Sequence, residues 1–157
     1  MPLAAGVPNS GSYGWTPPAV NSSQVLIEVE AIDRAGNRGA DRSNAAFTVS
    51  AAAPGAPQNL QASPVNWTNL ASFALSWTNP PELATITGAW YKLDQPPTTQ
   101  TDGIFVPTAA PYIAGIAPTD DGAHPVYVWL QDMFGRADHT RTASTILYLD
   151  RTSPSPP

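Results

Sequence analysis

The sequence predicts an all-β fold, an antiparallel β-sandwich, and three observations carry the prediction. Apolar residues alternate with polar ones over short runs, as in Val25, Ile27, Val29 and Ala31, and again in Val126, Val128 and Leu130. Pro, 18 of 157 residues, together with Gly interrupts nearly every window long enough for a helix. Two segments match each other 99 residues apart: VLIEVEAIDRAGNRGAD (25–41) on PVYVWLQDMFGRAD (125–138), which sets Asp33 on Asp132 and Gly36 on Gly135. A period near 100 residues suits a sandwich module.

The second copy supplies a full set of strands. PQNLQAS (57–63) opens it, and SFALSWT (72–78) follows with Phe73, Leu75 and Trp77 on one face. ITGAWYKL (86–93) is the third strand, and DGIFVPT (102–108) a short edge strand after the turn PPTTQTDG. PYIAGI (111–116), VYVWLQ and TILYLD complete seven strands separated by turn signals. The first copy provides only closing strands, read as SYGWT, VLIEVEAI and AAFTV. The expected organisation is a partial module over 1–50, a Pro/Ala-rich linker over 51–56, a complete module over 57–150 and a Pro-rich tail over 151–157. A three-strand remnant buries little on its own, so residues 1–50 are expected to be the end of a preceding module or to be completed by another chain.

Charge and composition narrow the functional classes. The net charge is −5, and six arginines and one lysine are scattered without a basic stripe, which argues against nucleic acid. Charged residues make up 12% of the chain, about half the usual share. There is no cysteine, hence no disulfide, thiolate metal site or cysteine nucleophile. No apolar run reaches the roughly 20 residues needed to span a bilayer, and MPLAAGVPNSG lacks the basic start of a signal peptide. Membrane insertion is not expected, and an export signal would lie outside this chain.

PQNLQASP, LSWTNP, WYKL and VYVWLQDMFGRAD, in that order, resemble the motifs of fibronectin type III and related immunoglobulin-like modules. Pro57, Trp77, Tyr91 and Gly135 would fill the places of that family's opening proline, second-strand tryptophan, third-strand tyrosine and hairpin glycine. The similarity covers 54–152 well and 12–53 in part, and looks closest to tandem modules of large bacterial surface proteins. It implies an extracellular or cell-surface location, a structural or spacer role, and neighbouring modules of the same protein as partners.

Several groups of residues are candidate sites. Asp33, Asn37 and Asp41 offer oxygen ligands to calcium, but their spacing is not that of an EF-hand. The matching positions in the second copy are Arg136 and Thr140, so a hairpin turn is the preferred reading. Asp138, His139 and Ser144 lack a nucleophile elbow, and His124 and His139 do not make a zinc site. A non-catalytic chain without cofactor or metal is expected. Tyr127 and Trp129 share a strand face opposite the valines. With Trp90 they form either an exposed stripe able to stack on glycans or a surface covered by PPTTQTDGIF, and the covered arrangement is favoured because large exposed apolar patches are uncommon. The single lysine, Lys92, could in principle form an isopeptide bond, but the sequence marks no partner for it. A self-assembling fibre subunit completed by strand addition is the remaining alternative.

Overall fold

The computed structural model describes residues 2–155. Among them the regular structure is entirely strand, eleven in all: β1 Asn21–Val25, β2 Glu28–Ile32, β3 Arg38–Arg42, β4 Phe47–Ser50, β5 Gln58–Ser63, β6 Phe73–Thr78, β7 Ile86–Leu93, β8 Ile104–Pro107, β9 Tyr112–Ile116, β10 Gly122–Asp132 and β11 Ala143–Leu149. The chain divides into two compact units after Ala52.

The second unit is an antiparallel β-sandwich of the immunoglobulin/fibronectin type III-like kind. One sheet has the order β5-β6-β9, the other β11-β10-β7-β8. The fourth strand thus joins the sheet of the third, whereas a constant-type immunoglobulin domain places it in the first sheet. Alternation fixes which face is buried. Phe73, Leu75 and Trp77 of β6 oppose Val126, Val128 and Leu130 of β10, with Ile113, Ile116, Leu147 and Leu149 filling the space between the sheets. Each fully buried side chain of this kind contributes about 1.5 to 3 kcal/mol, and no disulfide is needed to hold the layers. After β5 the chain crosses to the other sheet: Thr68 bridges Leu149 in parallel, its N–H donating to the Tyr148 carbonyl and its carbonyl accepting from Asp150 N. This ties the first strand's extension to the last.

The first unit is a long two-armed hairpin. β2 pairs with β3 and β1 with β4. Here the structure corrects the sequence reading in three places. VLIEVEAI is two strands, because the register changes between Val25↔Phe47 and Glu28↔Arg42. At the change the Ser43 hydroxyl accepts from Ile27 N while Ser43 N donates to the Ile27 carbonyl. RGADR, read as part of the turn, is the strand β3, held by its ladder to β2 despite having no apolar alternation. SYGWT (12–16) is not a strand; Pro17 and Pro18 follow it, and neither offers an N–H to a ladder. The apolar residues of this hairpin remain open, Val29 at 66% and Ile32 at 56% exposure.

Candidate functional site

The outer face of the β10–β7–β8 sheet holds the aromatic residues singled out by the sequence. Trp90 and Trp129 are cross-strand partners, nearly parallel at 10° with ring centroids 6.1 Å apart. Phe105 of β8 adds a third ring 5.0 Å from Trp90. Of the two arrangements open to these rings, the covered one is found. Trp129 is completely buried, Trp90 and Tyr127 are half-buried, and the cover is the segment between β7 and β8. Trp129 Nε1 donates to the Gln100 carbonyl at 3.0 Å, Trp90 Nε1 to Gln131 Oε1 at 2.9 Å, and Gln100 Nε2 to the Gly135 carbonyl. Gly103 sits so close that a Cβ there would lie 2.6 Å from both Trp129 Cη2 and the Tyr91 carbonyl oxygen. Tyr91, the neighbour of Trp90, points the other way and packs on the inner core. The outer face is therefore a second, smaller apolar layer closed over Trp129.

Lys92 and Asp102 clip this cover down. Lys92 Nζ lies 2.8 Å from Asp102 Oδ2, which also accepts from Thr98 N and Thr98 Oγ1 at 2.7 Å each. The Lys92 ammonium first, then the Thr98 donors, hold the Asp102 carboxyl far below the usual carboxylate range. The partner that the sequence does not mark for Lys92 is thus Asp102, ten residues on, which it meets as a salt bridge.

The Asp-x-x-Gly segment is the same turn in both copies. Asp33 Oδ1 accepts from Ala35 N and Asn37 N, and its Oδ2 from Asn37 Nδ2. Asp132 Oδ1 accepts from Phe134 N and Arg136 N, and its Oδ2 from Arg136 Nε. Gly36 and Gly135 take φ of 84° and 74°, which a side chain would strain. Asn37 and Arg136 thus play one part: a side-chain donor to the second carboxylate oxygen. The Asn37 side-chain and backbone donors lower the Asp33 carboxyl below its ordinary range. With Asn37 presenting its amide N–H to Asp33, and Asp41 inside β3 opposite Val29, the three proposed calcium ligands do not converge. Among the described residues no group of three or more His, Asp or Glu is close enough to hold a metal ion.

The other polar candidates separate as well. Asp138 accepts from Thr140 N and Oγ1 and faces Arg141 at 3.2 Å. Thr140, then Arg141, hold its carboxyl low. Its carboxylate therefore serves the turn, not His139. Asp121 accepts from Arg151 and Thr152, and His124 lies between Asp94 and the Asp120 carbonyl. One surface feature went unread in the sequence: Trp67, 59% exposed, rests 5.1 Å from Tyr148 beside a groove lined by Leu60, Val65 and Ile146. Trp67 lies in the Asn66-Trp-Thr68 segment, whose only sequence signal is a glycosylation sequon.

No protein family matches the chain, and no curated protein matches it. Among solved structures, the spore cortex lytic enzyme SleM of Clostridium perfringens is similar over 62% of this chain and 29% of that one, at 14% identity and a TM-score of 0.44. The chain thus spans under a third of that enzyme's length. Domains d3-d4 of the rat CD45 extracellular region are similar over 94% of this chain and 76% of that one, at 8% identity and a TM-score of 0.45. Among the described residues no helix is long and apolar enough to cross a membrane.

Proposed function

We propose that this chain is part of a tandem series of immunoglobulin-like modules and acts as a non-catalytic structural spacer in a large extracellular or surface protein, with neighbouring modules as its partners. One observation carries the reading: the same aspartate-bonded hairpin turn occurs twice, 99 residues apart, and each copy runs on into a Pro-rich segment of the semi-rigid kind. Two further features support it. The aromatic face is sealed by its own loop, and the carboxylates of the turns are engaged in local hydrogen bonds and not gathered into a site. The test is mechanical. Pulling the full chain between two handles should give one abrupt event for the second unit, with a length gain of roughly 30 nm. Smooth extension without a discrete event would remove the spacer role.

A second reading, a self-assembling subunit completed by strand addition, is favoured by the open apolar side of the β2–β3 arm, where Val29 is 66% exposed. Sedimentation velocity over a hundredfold concentration range distinguishes the two. Self-association that Val29→Lys abolishes supports assembly, and a monomer at every concentration rejects it.

A further inference from the structure

At one end of the second unit, three segments meet on a single imidazole. β7 ends at Leu93, and Asp94 turns the chain with a φ of 68° while its N–H donates to the Pro125 carbonyl. The His124 side chain points into this corner and is buried, with the residue 8% exposed. Its Nδ1 lies 2.8 Å from Asp94 Oδ1, and its Nε2 lies 2.9 Å from the Asp120 carbonyl oxygen. Both partners are acceptors with no proton to give. A neutral imidazole has a single N–H, so it would set one ring lone pair against an oxygen lone pair. Only the imidazolium satisfies both contacts.

The same corner is held from its other side. Asp121 Oδ1 takes Arg151 Nε at 2.7 Å, Asp121 Oδ2 takes the Thr152 hydroxyl, and Arg151 Nη2 donates to the Thr119 carbonyl. Residues 119–121 are therefore gripped between His124 and the segment by which the chain leaves β11.

We propose that His124 is a pH-operated clasp: as an imidazolium it ties the β7–β8 corner to the β9–β10 corner, and its deprotonation loosens both and with them the exit segment 150–152. The clasp deepens the spacer reading by making the stiffness of the module's exit depend on pH, and only that consequence rests on the reading. The charged groups acting on the ring are Asp94, at the end of β7, and Asp120, in the β9–β10 corner. Lys92 and Arg151 are engaged by Asp102 and Asp121. Burial pushes the imidazole towards its neutral form, but the Asp94 carboxylate, the Asp120 carbonyl and the two aspartate charges outweigh it and raise the pKa above 6.5. The sign follows from linkage. A group whose pKa is higher folded than unfolded contributes its full stabilisation below the unfolded value. That contribution is lost as pH rises through the folded value.

The test is an NMR titration of both histidines in the full chain, with amide exchange of residues 94–95, 119–122 and 150–152 followed from pH 5.5 to 8.5. His124 should titrate above 6.5, and protection of those amides should fall as it does. The fall should be about tenfold for each unit by which the folded pKa exceeds the unfolded one. Asp94→Asn keeps the shape of a side chain that is 55% exposed and should lower the His124 titration and the loss of protection together. Titration of His124 below 6.5, or protection that does not follow it, would overturn the clasp. A force event unchanged from pH 5.5 to 8.5 alongside such a result would leave the spacer reading standing, and loss of that event at every pH would remove the spacer while leaving the clasp to the titration.

Discussion

Replacing Asp132 by Ala tests the view that one carboxylate holds the β10–β11 turn. The Asp132 side chain is 1% exposed and takes two backbone N–H donors, Phe134 and Arg136, together with the Arg136 guanidinium. Alanine would leave those amides without their acceptor and remove the carboxylate that faces the partly covered Arg136. Breaking a buried pair by removing one partner costs about 3 to 5 kcal/mol. The arginine is 24% exposed in its side chain, so water recovers part of this and the lower end, about 3 kcal/mol, is expected. With a urea slope of about 1.5 kcal/mol per molar, the unfolding midpoint of the second unit should drop by about 2 M. Tryptophan fluorescence reads this directly, because Trp67, Trp77, Trp90 and Trp129 lie in that unit. Asp33→Ala removes the same hydrogen bonds from an exposed turn and should leave the main transition of the second unit where it was. If Asp132→Ala costs less than about 1 kcal/mol, the turn is held by Gly135 and the ladder, and the carboxylate is incidental.

Three further outcomes follow from the covered aromatic face. Gly103→Ala would drive a Cβ into Trp129 and the Tyr91 carbonyl; the loop should lift, and tryptophan emission should shift to the red without loss of the inner core. Gly88→Ala would place a methyl against the Phe105 ring and 3.1 Å from the Val106 carbonyl, and should destabilise the second unit by about 1 to 3 kcal/mol in urea unfolding. Asp102, whose carboxyl the Lys92 and Thr98 contacts hold low, stabilises the cover above the unfolded carboxylate pKa near 3.8. It loses that effect only as pH falls through its lowered folded value. Emission from the wild-type chain should therefore stay blue as pH drops through 4, whereas Asp102→Asn should be red-shifted already at pH 7.

Alternation made the inner core legible, because in a sandwich the residues i and i+2 that face the opposite sheet must be apolar. It put Phe73, Leu75, Trp77, Val126, Val128 and Leu130 where they are found. The same rule assigns Tyr127 and Trp129 to the outside; that PPTTQTDGIF covers them follows from the scarcity of large exposed apolar patches, because a rule of period two has no third layer. That layer is a loop of ten residues, 94–103, whose polar side chains show no periodicity; its cues are a glycine that must approach a ring and an aspartate placed for Lys92, and both depend on contacts across the sheet. β3 escaped for the complementary reason. Its pairing comes from backbone bonds to β2, and RGADR offers no face to bury. Trp67 was invisible as a surface feature because it sits beyond the end of β5, where the chain changes sheets and alternation restarts.

The two copies of the hairpin separate what a sandwich requires from what a particular module adds. Val126, Val128 and Leu130 correspond to Ile27, Val29 and Ala31, so this strand face stays apolar in both copies, buried in the second unit and largely open in the first. Asp132 and Gly135 correspond to Asp33 and Gly36, so the turn stays intact even though its donor changes from Arg136 to Asn37. The outward face does not persist. Tyr127 and Trp129 correspond to Glu28 and Glu30, and Glu30 pairs in solvent with Arg38. An outer strand face bearing two glutamates gives nothing for a loop to cover, and the sealed aromatic layer is a feature of the second unit. Between the two copies, then, the outward face differs while the aspartate-bonded turn is kept. Exchanging the pairs separates the two requirements: Tyr127→Glu with Trp129→Glu should release the 94–103 loop, seen as faster amide exchange there, and leave the inner ladder β10–β7 protected. Loss of protection in β7 and β10 as well would mean that the outer layer is a condition of the fold and not an addition to it.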